Sequence, residues 1–214
     1  MLVEIYSDVV CPWCYIGKRR FEAAMASFQW RDRVEVVWRP FQLDPTAPKQ
    51  AGYAFDAYAK KFGGPAEAAR IIDHVTSVAA GDGLEFHLES ALRANTFDAH
   101  RLLRLALRAG CQDEVKEQLL RAYFTDSRDV GDRDVLVEIA TNVGMRAKDV
   151  RASLESDDGV VDIRNEIASA YERGITAVPT FVIDGEWAIP GAQEPDAIIR
   201  VLQRRVNIGE TLSE

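Results

Sequence analysis

The chain has 214 residues, 47% of them hydrophobic, and a formal net charge of -8. This length and composition are typical of a compact protein that buries a sizeable core. The negative charge argues against nucleic acid or an anionic membrane surface as a partner, because both attract clusters of lysine and arginine.

The N-terminal part of the chain predicts a β-α-β unit. Side chains that alternate between two faces over residues 2–7 predict a strand. Because this stretch includes Glu4 and no basic segment, we expect neither a secretory signal nor a membrane anchor. We therefore expect a cytoplasmic location. From Pro12 onward, apolar residues recur at helical spacing, with Lys18, Arg19, Arg20 and Glu22 assigned to a solvated face. The β-branched and aromatic run at 34–41 predicts a second strand, parallel to the first.

The remaining chain predicts a helical block followed by a β-β-α return. Residues 43–52 contain two prolines and a glycine and are interpreted as a linker. The stretch 51–172 has helical spacing with few strand signals, so we predict an inserted helical domain. Strands at 178–185 and 186–192, joined at Asp184-Gly185, then lead to a last helix that begins at Pro195. The predicted class is α/β, with a discontinuous domain formed by residues 1–50 and 173–214.

Two cysteines stand at the first strand-to-helix junction, in the segment SDVVCPWCYIG at 7–17. Cysteines three positions apart at a helix start share one face and can form a disulfide with small adjustment. Cys11 would lie at the helix N-terminus, where free backbone N–H groups lower a thiol pKa, so we predict that it is the nucleophile. Cys14, one turn further in, is predicted to be less exposed and to act as the resolving thiol. Pro12 suits the first turn, where its missing N–H costs nothing.

Other interpretations of the polar and sulfur-bearing residues are weaker. A zinc site needs about four ligands, and the chain has no second cysteine pair and only the scattered His74, His87 and His100, so we predict no metal. Buried structural cysteines explain one cysteine better than two at such a junction. Cys111 has no nearby partner in sequence and is predicted to be inert. Asp8 either passes protons to the dithiol or bonds neighbouring backbone N–H groups.

The arrangement of these elements resembles the thioredoxin fold, because a β-α-β unit carries C-x-x-C at its turn and Pro179 opens the β-β-α return. The large helical insertion is similar to the DsbA-type branch of that superfamily. Three segments resemble the FrnE-like subgroup of cytosolic DsbA-family oxidoreductases: SDVVCPWCYIGKRRFE, RANTFDAHRLLRLA at 93–106 and GITAVPTFVIDGEWAIPGAQ at 174–193.

The resemblance implies a thiol-disulfide oxidoreductase that works without a cofactor on a protein or small-molecule thiol or disulfide. It implies a cis peptide bond at Val178-Pro179, with the Val178 backbone pairing with substrate and Pro179 packing near Cys11. Trp13 stands where the periplasmic oxidase has a histidine that stabilises its thiolate. We therefore expect a less oxidising couple here and an apolar surface for substrate at Trp13.

Two alternatives stay open from the sequence. Kappa-class glutathione transferases and 2-hydroxychromene-2-carboxylate isomerases share this architecture and have a serine at the position of Cys11, so a glutathione-dependent isomerase or transferase is the principal rival. In that case glutathione is a co-substrate held by Val178 and by the start of the last helix, near Gln193 and Asp196. The third hypothesis is a chaperone-like module that holds extended peptides along Val178-Pro179 by strand addition.

Overall fold

The structure is a computed structural model that describes residues 1–48 and 51–211, without the side chains of 208–211. In chain order its elements are β1 (Leu2–Ser7), α1 (Pro12–Ser27), a 3₁₀ turn (Arg31–Arg33), β2 (Glu35–Pro40), β3 (Gly52–Tyr53), α2 (Ala54–Phe62), α3 (Pro65–Gly81), β4 (Leu92–Arg93), α4 (Phe97–Ala109), α5 (Gln112–Phe124), α6 (Arg133–Asn142), α7 (Ala147–Glu155), α8 (Val160–Glu172), β5 (Thr180–Ile183), β6 (Trp187–Pro190) and α9 (Pro195–Thr211). None of the helices described over these ranges is long and apolar enough to cross a membrane.

The central sheet has four strands in the order β2-β1-β5-β6. β1 pairs in parallel with β2, whereas β5 pairs antiparallel with both β1 and β6. Ile5 in the middle of β1 lies between Trp38 of β2 and Phe181 of β5, and all three side chains are buried. The predicted α/β class and the β-α-β and β-β-α halves are therefore confirmed, with Pro40 at the end of an edge strand, where it breaks no ladder.

The helical insertion lies between β2 and β5. Helices α2 to α8 occupy it, and the four strands of the central sheet all lie outside the predicted domain 51–172. The insertion also contains the antiparallel β3–β4 pair, which the sequence did not predict because each strand has two residues. Part of the predicted linker, residues 49 and 50, lies outside the described residues, and the boundaries of the two domains stay a prediction.

Helix α1 contacts both halves of the molecule. On the sheet side, Phe21 stacks on Phe181 at 5.5 Å between ring centroids and belongs to the core shared with α9. On the other side, Tyr15 stacks on Phe86 at 5.8 Å and belongs to the largest core cluster, which the insertion forms. The helix that begins at the cysteine pair is therefore enclosed by both halves.

The prediction that Lys18 and Arg20 lie on a solvated face of α1 is wrong. The Lys18 side chain is 2% exposed and forms ion pairs with Glu22, Asp113 and Glu117. Arg20 binds the Asp82 carboxylate and the Ala192 carbonyl oxygen. These charges are covered because α3, α5 and the turn before α9 pack around α1.

Candidate active site

The two cysteines lie at the first turn of α1, immediately after β1. Cys11 is the N-cap residue with extended backbone angles, and Pro12 is the first helical residue, as the sequence predicted. The Cys14 N–H donates to the Cys11 carbonyl oxygen at 3.0 Å and closes the turn. Both residues are free thiols, Cys11 with 3% of its surface exposed and Cys14 with none. A substrate disulfide therefore meets Cys11 first.

The ionisation of the pair differs from the sequence prediction of a lowered pKa at Cys11. The hydrogen bond to Cys14, together with burial, raises the pKa of Cys11 well above its usual value. Burial also opposes ionisation of Cys14, but the Cys11 thiol, the Lys116 ammonium and the Ser7 hydroxyl outweigh it and lower the pKa of Cys14. Of the two thiols, the inner one, Cys14, therefore ionises more readily.

Val178 and Pro179 face the cysteine pair from the other half of the fold. The Cys11 thiol donates to the Val178 carbonyl oxygen at 3.6 Å, and the Val178-Pro179 peptide bond is cis. The Gly191 N–H donates to the Pro179 carbonyl oxygen at 2.8 Å and holds this segment against β6. The Val178 carbonyl group therefore lies directly beside the outer sulfur of the pair.

Gly17, one turn beyond Cys14, was not identified from the sequence. A Cβ added to it would lie 2.9 Å from Cγ of Pro179 and 3.6 Å from the Phe181 ring. The separation of 2.9 Å is shorter than a carbon–carbon contact allows, so only glycine fits here without movement of a neighbour. The absent side chain lets the Pro179 ring pack directly on α1 beside the cysteines.

Asp8 is fully buried and fixes the loop that leads to Cys11. Its carboxylate accepts hydrogen bonds from the backbone N–H groups of Val9 and Leu43, both at 2.8 Å. One oxygen also lies 3.2 Å from Nε2 of His100 on α4. Of the two roles considered for Asp8, these bonds fit the structural one, in which Asp8 binds backbone N–H groups. They also connect the loop to the chain after β2 and to the insertion.

Trp13 and a neighbouring cavity form the open side of the site. The Trp13 ring is half-buried and lies 6.4 Å from the His74 ring of α3, measured between centroids. A cavity of about 660 Å³ has Val10 and Tyr58 in its wall. Burial raises the pKa of Tyr58, and a hydrogen bond with Tyr123, which also lines the cavity, opposes this shift. The cavity also has a basic side that contains Lys60, Lys61 and Arg93.

Lys116 of α5 is a second residue that sequence reasoning missed. It is fully buried, and its ammonium lies 5.2 Å from the centroid of the Trp38 ring. A signal was present, because Lys116 falls on the apolar stripe of α5 together with Val115, Leu119 and Leu120.

The remaining sequence candidates lie away from this site. Cys111 is the N-cap residue of α5, and burial and the nearby Glu114 raise its pKa, which disfavours the reactive thiolate. Among the described residues, no group of three or more histidine, cysteine, aspartate or glutamate side chains could hold a metal ion.

Two solved structures of low sequence identity share the fold of this chain. The cytosolic disulfide reductase DsbM from Pseudomonas aeruginosa, solved with GSH, is 17% identical, with a TM-score of 0.67, over 97% of this chain and 100% of that one. A 2-hydroxychromene-2-carboxylate isomerase is 13% identical, with a TM-score of 0.70, over all of both chains.

Closer similarity identifies the family. A probable DsbA oxidoreductase from Streptomyces coelicolor, SCO1869, is 38% identical, with a TM-score of 0.90, over 95% of this chain and 89% of that chain. The uncharacterized protein YwbO of Bacillus subtilis is 30% identical over 94% of each chain. The family model of the DSBA-like thioredoxin domain matches residues 2–203. The chain therefore belongs to the family of DsbA-like thioredoxin domains.

Proposed function

We propose that this protein is a thiol-disulfide oxidoreductase that works through the Cys11–Cys14 couple. The observation that carries the proposal is the pair of free thiols in the first turn of α1, with the Val178 carbonyl oxygen 3.6 Å from the outer sulfur. Membership of the DsbA-like family supports the reaction class. We further propose that the chain is FrnE-like and acts in the cytoplasm, in line with its likeness to a cytosolic disulfide reductase.

The proposed reduction of a substrate disulfide begins when Cys11 loses its proton. The Cys11 thiolate attacks one sulfur of the substrate, a Cys11–substrate disulfide forms, and the other sulfur leaves as a thiolate. Cys14 then loses its proton and attacks Cys11. The Cys11–Cys14 disulfide forms, the second substrate sulfur leaves as a thiolate, and both leaving thiolates take up protons. Oxidation of substrate is the reverse sequence.

The surrounding residues have distinct roles in this proposal. The Val178 backbone pairs with an extended substrate segment, and Pro179 packs beside Cys11. The Trp13 ring offers apolar contact area to substrate. Asp8 acts chiefly by holding the loop before Cys11, since both of its oxygens accept backbone N–H groups.

Reduction of a small aromatic disulfide under single-turnover conditions tests the proposal. Cys11→Ser should abolish reduction, because the attacking sulfur is gone. Cys14→Ser should accumulate a mixed disulfide on Cys11 that mass spectrometry detects after digestion. Cys111→Ser is the matched control and should react as the unaltered protein does. Full activity in Cys11→Ser would refute the mechanism.

A glutathione-dependent isomerase or transferase is the second candidate, and the cavity whose wall includes Val10, the residue before Cys11, favours it. The volume of about 660 Å³ and the basic side with Lys60 and Lys61 suit a small acidic molecule such as glutathione. Saturable glutathione binding, with turnover of an aromatic substrate by Cys14→Ser, would support this candidate over the dithiol mechanism. Binding followed only by disulfide exchange would instead make glutathione the reducing partner of the couple.

A further inference from the structure

Helix α5 of the insertion is fixed to the edge strand β2 by its first turn. The Trp38 backbone N–H donates to the Gln112 side-chain oxygen at 2.9 Å, and the Gln112 side-chain amide donates to the Trp38 carbonyl oxygen at 3.0 Å. The Trp38 indole N–H also donates to Asp113 at 2.9 Å. These three bonds set the position of every residue in the next turn of α5 relative to the sheet.

Lys116 lies one turn beyond Gln112, on the same face of α5. It has no exposed surface, and among the described residues its ammonium has no hydrogen-bond partner. The Trp38 ring, at 5.2 Å from the ammonium to the centroid, is its cation-π contact. Burial of an unpaired ammonium is costly, so the location of this lysine needs an explanation in function or in compensating charge.

Helix α5 packs against α1 on both sides of Lys116, since Lys18 of α1 forms ion pairs with Asp113 and Glu117. The groups whose charges act on the Lys116 ammonium are Cys14 and Cys11 at the start of α1, Asp8 in the loop before it, and the like charge of Lys18. His100 of α4 contacts Asp8 from the insertion side. Burial lowers the pKa of Lys116 to about 8, and Cys14 is the first of the groups that act against this lowering.

We propose that Lys116 is the cation, supplied by the helical insertion, that holds Cys14 as a thiolate and thereby drives the resolving step. The proposal rests on the proposed function of the cysteine pair. Lys116 touches no substrate, so it is a positioning residue: its charge acts on Cys14, and Cys14 acts on the substrate-bound Cys11.

The step that Lys116 assists is the second attack. In the mixed disulfide, Cys11 no longer has a proton to share, so Cys14 loses that hydrogen-bond donor and depends more strongly on the ammonium. The Cys14 thiolate attacks Cys11, the Cys11–Cys14 bond forms, the Cys11–substrate bond breaks, and the electron pair leaves with the substrate thiolate. Because the ammonium stabilises the thiolate of the reduced state and not the disulfide, it also makes the couple more oxidising.

Lys116→Met tests this role, because methionine keeps an unbranched side chain against Trp38 and removes the charge. In a background with Cys11→Ser and Cys111→Ser, thiolate absorbance follows Cys14 alone. We expect its acid dissociation constant to fall at least tenfold in Lys116→Met. In chains with both active-site cysteines, the equilibrium with glutathione should shift about tenfold toward the disulfide, which corresponds to about 30 mV. Lys148→Met, at an exposed position on α7, is the matched control and should change neither quantity.

A measurement on the unaltered protein keeps the test independent of folding of the variant. The Lys116 side-chain carbon next to its nitrogen, followed by NMR with labelled lysine, should titrate at lower pH in the disulfide than in the dithiol, since the thiolate charge is lost on oxidation. Equal titration in both states, or an unchanged Cys14 ionisation in a folded Lys116→Met chain, overturns the proposal. Loss of disulfide reduction in Cys11→Ser would still uphold the dithiol function in that case, whereas full activity in Cys11→Ser would refute the function itself.

Discussion

Gly17→Ala is expected to impair disulfide exchange without unfolding the protein. The added Cβ would lie 2.9 Å from Cγ of Pro179, whereas carbon atoms pack at about 3.5–4.0 Å, so the proline must retreat by roughly 0.6–1 Å. Overpacking of this kind costs about 1–3 kcal/mol, and replacing glycine by alanine in a helix returns up to about 1 kcal/mol. We therefore expect the free energy of unfolding to fall by roughly 0–3 kcal/mol.

The effect on activity should be larger than this change in stability. Pro179 is next to the carbonyl group that faces Cys11, and displacement of a reacting group by about 1 Å can cost about a hundredfold in rate. We expect kcat/KM for a peptide disulfide to fall roughly ten- to a hundredfold, in the same range. Gly81→Ala, in α3, is the matched control because its added Cβ meets no heavy atom within 4 Å. Equal activity of the two variants would refute the idea that Pro179 needs the space at Gly17.

Asp8→Asn should lower the free energy of unfolding by about 1–3 kcal/mol, because an amide cannot accept from both backbone N–H groups that the carboxylate holds, and an unchanged urea midpoint would contradict this. At pH 7, Lys116→Met should instead raise the free energy of unfolding. The folded pKa of about 8 lies below the ordinary 10.5, so the unfolded chain binds more protons between these values and the wild-type protein gains stability as the pH rises through that range. The variant should be more stable at pH 7 by up to about 3 kcal/mol, and a difference that does not narrow toward pH 10.5 would argue against this pKa. Cys111→Ser should leave exchange rates within about twofold, since burial and Glu114 disfavour its thiolate, and slower exchange would give this thiol a role.

The local parts of the fold were predictable from the sequence. β1, the junction at Cys11 and the start of α1 at Pro12 depend on alternation, helical spacing and proline geometry, all of which act over a few residues. The hairpin was predicted at Asp184-Gly185, and both residues do have positive φ, but its strands are shorter than expected and the turn includes Glu186. The ladder between β5 and β6 spans four residue pairs and ends at this turn.

The residues that the sequence did not indicate are those whose role depends on distant partners. Gly17 matters only because Pro179 returns to α1 from more than 160 positions away, and no local pattern encodes that contact. The apolar stripe of α5 indicates that Lys116 is buried, but what it is buried against depends on how α5 docks on β2. Lys18 was assigned to the wrong face for the same reason, since its three carboxylate partners include two from α5.

The docking of Gln112 fixes one side of the active site. A shift of α5 would break two hydrogen bonds to the Trp38 backbone and separate Lys18 from its partners on α5, so we expect α5 to keep its position relative to the sheet when substrate binds. The Trp13 ring lies on another side, where it forms a tilted pair with the His74 ring of α3. We expect the site to adjust to substrates of different size on the side of Trp13, with α5 as the fixed reference.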